Sequence, residues 1–448
     1  MTTHSVDTEY IVFGLGKTGF SCARFLTDRG LEYSVIDTRN NPPELAHLKT
    51  AMPAIAVFTG VTASIITACC KTLVLSPGVP RDHPVVAAAL RRGVDVIGDI
   101  ELFARYAQSP IVAITGSNGK STVVTMVSEI LRAAGMDIRT GGNLGTPALD
   151  LLDAGCPDYY VLELSSFQLE STVSLAPIVA CILNVSPDHM DRYKSFSSYL
   201  ATKKRIYEHA SSIVLNADDE NLRQIQSAVE IRYISLDEHD WAPYRTERDG
   251  DIGWLVANGE RLMRVDELNL RGRHNVINAL AAVAITDKLS VPRSVQSRII
   301  AKFSGLPHRC QTVATKSGIV WIDDSKGTNV GAACAAIHGV FSERHGVLIA
   351  GGQAKGADFT ALAKAIKGRL NAVVLIGVDA NMIAASLDDD VDVHFALDMN
   401  AAVATAAKLA RPGDTVLLSP ACASFDMFKN FAARGRAFAD AVREIVVA

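Results

Sequence analysis

The stretch Ile111-Val-Ala-Ile-Thr-Gly-Ser-Asn-Gly-Lys-Ser-Thr122 constrains this chain more than any other. Apolar, β-prone residues run into a tight Gly-containing turn, and Lys120-Ser-Thr122 then opens a helical pattern. That order turns backbone N–H groups and a helix N-terminus toward an anion, which is the physics of a phosphate cradle. The longer form G-x-x-x-x-G-K-[ST] needs glycine where this chain has Ile114, so the turn is the short form T-G-S-N-G-K-S-T. Lys120 would reach the β- and γ-phosphates of a nucleotide, and the Ser121 hydroxyl would ligate Mg²⁺. A Gly/Asn turn capping an ordinary helix leaves Gly-Lys-Ser-Thr after a strand without a reason.

At 448 residues the chain is too long for one core. Charged residues make up 21% and hydrophobic ones 48%, a globular balance. The net charge is −4 with no long basic run, so nucleic acid is not an expected partner. No stretch reaches the ~18 apolar residues of a spanning helix, and Met1 to Tyr10 is polar without a basic run, so a cytoplasmic protein without membrane insertion is expected. The eight cysteines include adjacent Cys69-Cys70 but no C-x-x-C, which gives neither zinc spacing nor a redox motif.

Three segments of α/β alternation follow one another: 1–99, 100–305 and 306–448. In the first, Tyr10-Ile-Val-Phe13 reads as a buried strand, Gly14-Leu-Gly16-Lys-Thr-Gly19 leads into a helix over Phe20 to Arg29, and the strand Tyr33–Asp37 ends in an acid 21 residues beyond Gly16. By spacing this is a dinucleotide-binding fingerprint, with Asp37 near a ribose. Strand Thr72-Leu-Val-Leu75 runs into Ser76-Pro-Gly78, either a plain turn or a ligand loop at a strand end.

In the second segment, Asp158-Tyr-Tyr-Val-Leu-Glu163 and Ile178-Val-Ala-Cys-Ile-Leu-Asn184 are apolar runs whose C-terminal ends deliver Glu163 and, in Val-Ser-Pro-Asp-His189, a histidine. Both should face the edge that carries the phosphate cradle, where Glu163 and His189 could hold metal. Ala201-Thr-Lys-Lys-Arg-Ile-Tyr207 looks like one basic helix face, and charge does not separate Lys203 from Lys204. Asn275 is placed to cap the small-residue helix Ala279 to Lys288, and Asn278 sits one turn in, either to contact a base or merely to begin the helix. The third segment opens at a linker-like Gly305-Leu-Pro-His-Arg309. Two of its apolar runs end in polar loops, Asp323-Asp-Ser-Lys-Gly-Thr-Asn329 and Ser419-Pro-Ala-Cys-Ala-Ser-Phe-Asp426, where Lys326 beside an acid and hydroxyls could grip a carboxylate.

In this order the stretches resemble the Mur ligases, ATP-dependent amino-acid ligases of peptidoglycan precursor synthesis. The marks are Gly14–Gly19 with Asp37-Thr-Arg39, Thr115–Thr122, Gly141-Gly-Asn143-Leu-Gly145, Leu162-Glu-Leu-Ser-Ser-Phe-Gln168, Asn184–Arg192, Gly305–Arg309, Asp324–Asn329 and Ser419–Asp426, spanning nearly the whole chain. The resemblance implies three α/β domains at the three segments: a Rossmann-like N-terminal one, a P-loop ATPase-like central one and a Rossmann-like C-terminal one.

It also implies ligation of D-glutamate to UDP-N-acetylmuramoyl-L-alanine through an acyl phosphate and a tetrahedral intermediate, with ADP and phosphate released. Gly16, Lys17, Thr18, Thr38, Arg39 and Ser76 match positions for the UDP end rather than for NAD. Gly116, Asn118, Gly119, Lys120, Ser121, Thr122, Asn278, Arg309 and Asp324 match ATP contacts. Ser121, Glu163, His189 and Lys203 match the Mg²⁺ site, Lys203 as a lysine that is carbamylated and so becomes an anionic oxygen donor. Asn143, near the reacting phosphates, and His308 complete the catalytic set with Lys120, Lys203, His189 and Glu163. Lys326, Thr328, Ser424 and Phe431 match the D-glutamate end. Lys355 joins them from Gly351-Gly-Gln-Ala-Lys-Gly-Ala-Asp358, a loop with Gln353 and Ala354 where related enzymes often carry an acid. A monomer is expected, with closure of the C-terminal domain over bound ATP.

Against a sister Mur ligase or a folylpolyglutamate synthetase stand the short Gly-x-Gly N-terminal domain and the Ser-Pro-Ala-Cys-Ala-Ser loop. An NAD-linked oxidoreductase leaves the phosphate cradle and the third domain unexplained, and a nucleotide-binding regulator without turnover has no use for Glu163, His189 and Lys203 together.

Overall fold

Continuous apolar runs build the sheet centres, because a parallel strand covered by helices on both faces needs no polar alternation. Ile111–Thr115 and Val179–Ile182 are buried along their whole length. The computed structural model describes residues 8–61, 69–153, 155–237, 241–270, 272–341 and 346–447; Met1–Asp7 of the polar opening run lie outside them.

Three sheets follow one another along the chain. The first is five-stranded and wholly parallel, in the spatial order Val57–Thr59, Tyr33–Asp37, Tyr10–Phe13, Thr72–Leu75, Asp95–Gly98. Its order reverses between Tyr10–Phe13 and Thr72–Leu75, and such a switch point leaves a crevice beyond the strand C-termini. In the second, nine-stranded sheet Ile111–Thr115 lies between Tyr159–Glu163 and Val179–Ile182, so the phosphate cradle, Glu163 and Asn184 emerge side by side. The third has six strands, with Ile319–Asp323, Thr415–Leu418 and Gly346–Gly351 adjacent and parallel. The succession of three α/β units expected from the sequence is the one found.

One apolar cluster runs unbroken from Val12 and Leu26 through Phe103 and Tyr160 to Ile213, so the first and second sheets share a core. The third sheet buries two clusters of its own, one around Ile337, Leu348 and Phe359 and one around Trp321, Val403 and Phe438. It meets the phosphate cradle through polar side chains instead.

Several elements differ from the sequence reading. The first helix begins at Lys17 rather than Phe20, so the glycine-rich turn is shorter. The helix that Asn275 is expected to cap starts at Arg273 with Gly272 in the capping position, which puts Asn275 inside the first turn. The basic face belongs to a longer helix, Phe196–Lys204, continued by a short turn over Arg205–Tyr207. An antiparallel extension, Tyr244–Asp249, Ile252–Ala257 and Glu260–Arg264, has no counterpart in that reading. Its outer strands are largely polar and only partly buried, so no apolar run announces them. The readable signal was Asn258-Gly259, both at positive φ between two of the strands, a two-residue hairpin turn.

Candidate active site

The cradle is held from its neighbours on the sheet. Asn118 N–H donates to Asn184 Oδ1 at 2.8 Å, and Asn184 Nδ2 returns a bond to Asn118 O at 3.1 Å. Ser117 Oγ donates to Ser186 O at 2.9 Å and accepts from Ser186 N at 3.0 Å. Gly119 caps the helix Lys120–Ala133 with φ +81°, a left-handed conformation that aims the first N–H groups into the cleft. Lys120 Nζ donates to Gly116 O at 2.7 Å and Ser117 O at 2.9 Å, and burial lowers its pKa.

Around this mouth lies a cavity of about 570 Å³ that gathers Lys120, Ser121, Asn143, Glu163, His189 and Lys203 with Lys326, Thr328, Lys355, Ser424 and Phe431. Glu163 is 2% exposed; its Oε1 accepts from Asn143 Nδ2 at 2.6 Å, and its Oε2, equally buried, has no partner. A buried carboxylate oxygen left unpaired is costly, so its presence argues for a ligand that completes it. His189, at φ +58°, holds its ring 4.7 Å from that of Phe167 and tilted by 58°, and burial lowers its pKa, favouring the neutral, metal-binding form. Lys203 is 1% exposed, with Nζ donating to Gly116 O at 3.0 Å and Thr115 Oγ1 at 3.3 Å; burial and then Lys120 drive its pKa well down. Lys204 is only half-buried, and the cavity does not include it. Among the described residues no three His, Cys, Asp or Glu side chains converge on a metal-sized point. The expected set contains only two of those types, and its other members are the Ser121 hydroxyl and the Lys203 amine.

Two further cavities share lining residues with this one. On the first sheet a cavity of about 420 Å³ is lined by Gly16, Lys17, Thr18, Thr38, Arg39 and Ser76. Gly78 lines both it and the central cleft. Asp37 lies there too, but its oxygens are engaged by Leu15 N at 2.7 Å, by Arg39 N at 2.8 Å and by the Arg39 guanidinium. Burial would raise its pKa; those bonds hold it below the usual carboxylate value. Toward the third sheet a smaller cavity is lined by Gly119, Thr122, Asn278, Arg309 and Asp324. Arg309 Nη2 donates to Ser121 Oγ at 2.9 Å. Asp324 accepts from Ser419 Oγ at 2.7 Å and Cys310 N at 3.2 Å, and burial pushes its pKa up to about 7.

Family models match in series: the Mur ligase MurD-like N-terminal domain over 8–98, the Mur ligase middle domain over 114–286 and the Mur ligase glutamate ligase domain over 308–422. This chain belongs to the Mur ligase family. It is 47% identical over 442 residues to the UDP-N-acetylmuramoylalanine–D-glutamate ligase of Nitrosococcus oceani, covering 97% of this chain and 96% of that protein. It is likewise 47% identical over 448 residues to the same-named ligase of Pseudomonas aeruginosa, covering 99% and 100%. Among solved structures, UDP-N-acetylmuramate-alanine ligase from Thermotoga maritima shares the fold, with a TM-score of 0.63, 20% identity and coverage of 98% and 100%.

At the third-sheet rim of this Mur ligase, Lys326 Nζ lies 4.0 Å over the Phe431 ring, and burial followed by the charges of Arg309 and Lys120 lowers its pKa to about 8. His308 stands apart from the rest of the expected set. Its Nδ1 pairs with Asp323 at 2.6 Å, its ring meets Phe431 edge-on, and it lines neither the central nor the nucleotide-side cavity. The carboxylate that closes the strand Ile319–Asp323 draws it behind Phe431.

Residue reading missed Asn329, Phe167, Tyr199 and Arg192 as site residues. Asn329 Nδ2 reaches Asn118 Oδ1 at 3.1 Å and Asp188 Oδ2 at 2.9 Å, joining the third sheet to the second. Arg192 stacks on Phe167 and donates to Pro77 O and Val79 O, tying the first sheet's ligand loop to the cleft. Both close motifs quoted from the sequence, and that position was the available signal.

Proposed function

We propose that this Mur ligase joins D-glutamate to UDP-N-acetylmuramoyl-L-alanine with hydrolysis of ATP to ADP and phosphate, in peptidoglycan precursor synthesis. The observation that carries the reading is one continuous cleft in which a phosphate cradle, an unpaired buried carboxylate oxygen and a rim with Lys326, Lys355, Thr328 and Ser424 meet. The names of relatives 47% identical over nearly the full length support the same reaction. We take 1–99 as the UDP-substrate domain, 100–305 as the MgATP domain and 306–448 as the amino-acid domain.

In this reading Gly16, Lys17, Thr18, Thr38, Arg39 and Ser76 hold the uridine diphosphate, and the peptide end passes Gly78 into the central cleft. Gly116 to Thr122 cradle the phosphates, with Asn278, Arg309 and Asp324 around the nucleoside. Ser121, Glu163, His189 and a carbamylated Lys203 would hold Mg²⁺, which when bound neutralises the charge brought together on the phosphate oxygens. The depressed pKa of Lys203 favours the free amine, the form that takes up CO₂. The substrate's terminal carboxylate oxygen attacks the γ-phosphorus and ADP leaves. Lys120 offsets the charge on that phosphoryl group, and Asn143 orients Glu163 beside it. The free amine of D-glutamate, its carboxylates held by Lys326, Lys355, Thr328 and Ser424, then attacks the acyl carbon. The amide forms, the amine loses a proton and phosphate leaves. Phe431 and Phe167 wall the cleft against water, which would hydrolyse the acyl phosphate.

Among the described residues no helix is long and apolar enough to cross a membrane, and we take the enzyme as a cytoplasmic monomer. The test is ADP or phosphate release with UDP-N-acetylmuramoyl-L-alanine and, as amine, D-glutamate, L-glutamate, L-alanine, L-lysine or diaminopimelate. Release that needs D-glutamate supports the assignment. Turnover with another amino acid and none with D-glutamate moves the protein to a sister activity.

A further inference from the structure

Among the described residues Arg434 is the largest fully buried side chain, 1% exposed, in the first turn of the last helix, Phe431–Val447. It makes no ion pair among the described residues; its guanidinium is spent on main-chain carbonyls and one hydroxyl. Nε donates to Ser325 Oγ at 3.0 Å, Nη2 to Ser325 O at 2.9 Å and Cys422 O at 3.1 Å, and Nη1 to Gly351 O at 3.4 Å. Ser325 Oγ passes its own hydrogen to Phe431 O at 2.8 Å.

These acceptors sit at the C-terminal ends of three adjacent parallel strands, Ile319–Asp323, Thr415–Leu418 and Gly346–Gly351. From those ends hang the rim residues of the cleft: Lys326 next to Ser325, Ser424 two beyond Cys422, Lys355 beyond Gly351, and Phe431 on the arginine's own helix. A planar fork with five donors can satisfy several carbonyls in fixed directions, which an ammonium cannot. A buried cation whose hydrogen bonds all go to neutral groups, with the Asp323, Asp324 and Asp426 carboxylates near it but not paired with it, is costly, so its retention calls for a reason beyond packing.

We propose that Arg434 is the positioning residue of the amine-binding half of the cleft, fixing through Ser325, Cys422 and Gly351 the spacing of the groups that hold the amino acid's carboxylates. The inference rests on the assignment of this rim to the amine substrate. Arg434 touches no reactant; it acts through the three loops. Its influence should therefore be largest on the amino acid, whose carboxylate holders hang from all three loops, small on the nucleotide, whose cavity shares only the loop Asp324–Gly327, and absent from the UDP-linked substrate, whose cavity is lined from the first sheet.

The test uses the full-length enzyme with Arg434→Lys and, separately, Ser325→Ala, which leaves the arginine in place but removes one of its acceptors. KM is measured for D-glutamate, ATP and UDP-N-acetylmuramoyl-L-alanine, with nucleotide affinity by direct titration as the check that the third sheet is folded and docked. The expected result is a KM for D-glutamate raised about tenfold or more in Arg434→Lys and a few-fold in Ser325→Ala, with the other two KM values within about twofold. Three KM values moving together, or a fall in kcat alone, would overturn the proposal, and Ser325→Ala decides it if Arg434→Lys does not fold. If the unaltered enzyme uses a different amino acid, the substrate assignment fails by itself. The same comparison with that amine then decides the role of Arg434.

Discussion

Asn329 performs two tasks with one amide, and two substitutions separate them. Its Oδ1 accepts from Ala332 N at 2.8 Å, capping the helix Val330–Val340, while its Nδ2 donates across to Asn118 at 3.1 Å and to the Asp188 carboxylate at 2.9 Å. The cap is worth about 1 kcal/mol. The bond to the carboxylate contributes about 1.5–3 kcal/mol and the neutral one about 1 kcal/mol. Asn329→Ala loses the cap, which should lower the melting temperature by a few degrees, and also the contact between the sheets, whose loss opens the cleft without unfolding either unit and so should appear as lower turnover. Asn329→Asp keeps a good cap but sets a second carboxylate against Asp188, turning attraction into repulsion. Its melting temperature should stay near that of the unaltered enzyme while turnover falls on the order of 10²-fold, the rate equivalent of about 2.7 kcal/mol. The assays are thermal unfolding, initial rates of phosphate release, and small-angle scattering with nucleotide and first substrate, in which Asn329→Asp should remain the more extended. Full activity in Asn329→Asp would refute the role of this contact in the productive arrangement. Melting as low as that of Asn329→Ala would refute the separation of the two tasks.

Glu163→Gln removes a buried charge whose Oε2 is unpaired, so unfolding should occur at the same or a higher temperature while kcat falls at least about 10²-fold; a destabilised variant would mean that the carboxylate serves the fold. Asp324 has its pKa raised from 3.8 to about 7 by burial, so the folded state holds the proton more tightly and stability should fall as pH rises between those values. Asp324→Asn should therefore be more stable than the unaltered enzyme at pH 8, by up to about 4 kcal/mol, with the advantage shrinking to nothing near pH 4 in urea titrations at several pH values. A constant difference across that range would exclude the linkage. At Gly119, φ is +81° and a Cβ would meet Asn278 Oδ1 at 2.6 Å, so Gly119→Ala should cost about 1–3 kcal/mol in thermal unfolding and weaken nucleotide binding in a direct titration; unchanged affinity would mean that the loop reshapes freely.

The phosphate cradle, the order of the three α/β units and a few polar groups were legible in the residues, because each depends on local chemistry at a strand end, whereas Asn143, Arg309, Thr328, Lys355 and Phe431 came only from the family resemblance. An apolar run buried on both faces predicts a parallel strand, and polar residues just past it have only the sheet's C-terminal edge to occupy. That logic reached Glu163, His189, Asp324 and Ser424 without any knowledge of their neighbours. The antiparallel extension escaped because its outer strands are largely polar and its clearest signal, Asn258-Gly259, is only two residues long.

What needed the tertiary structure was everything set by distances across the chain. Charge did not separate Lys203 from Lys204; packing against Thr115 and Gly116 buries one and leaves the other at the surface. Nothing local to Gly305–Arg309 shows that Asp323, at the end of the second strand after it, pairs with His308 while Arg309 reaches Ser121. Arg434 looks in the sequence like one more charge on an amphipathic helix, and only the meeting of three strand ends around it buries it to 1% exposure. The sequence by itself determined which groups lie at strand ends and what chemistry they carry, since backbone periodicity and side-chain type are local. Tertiary structure alone decided which of those groups face one another, since burial and pairing depend on contacts between residues far apart in the chain.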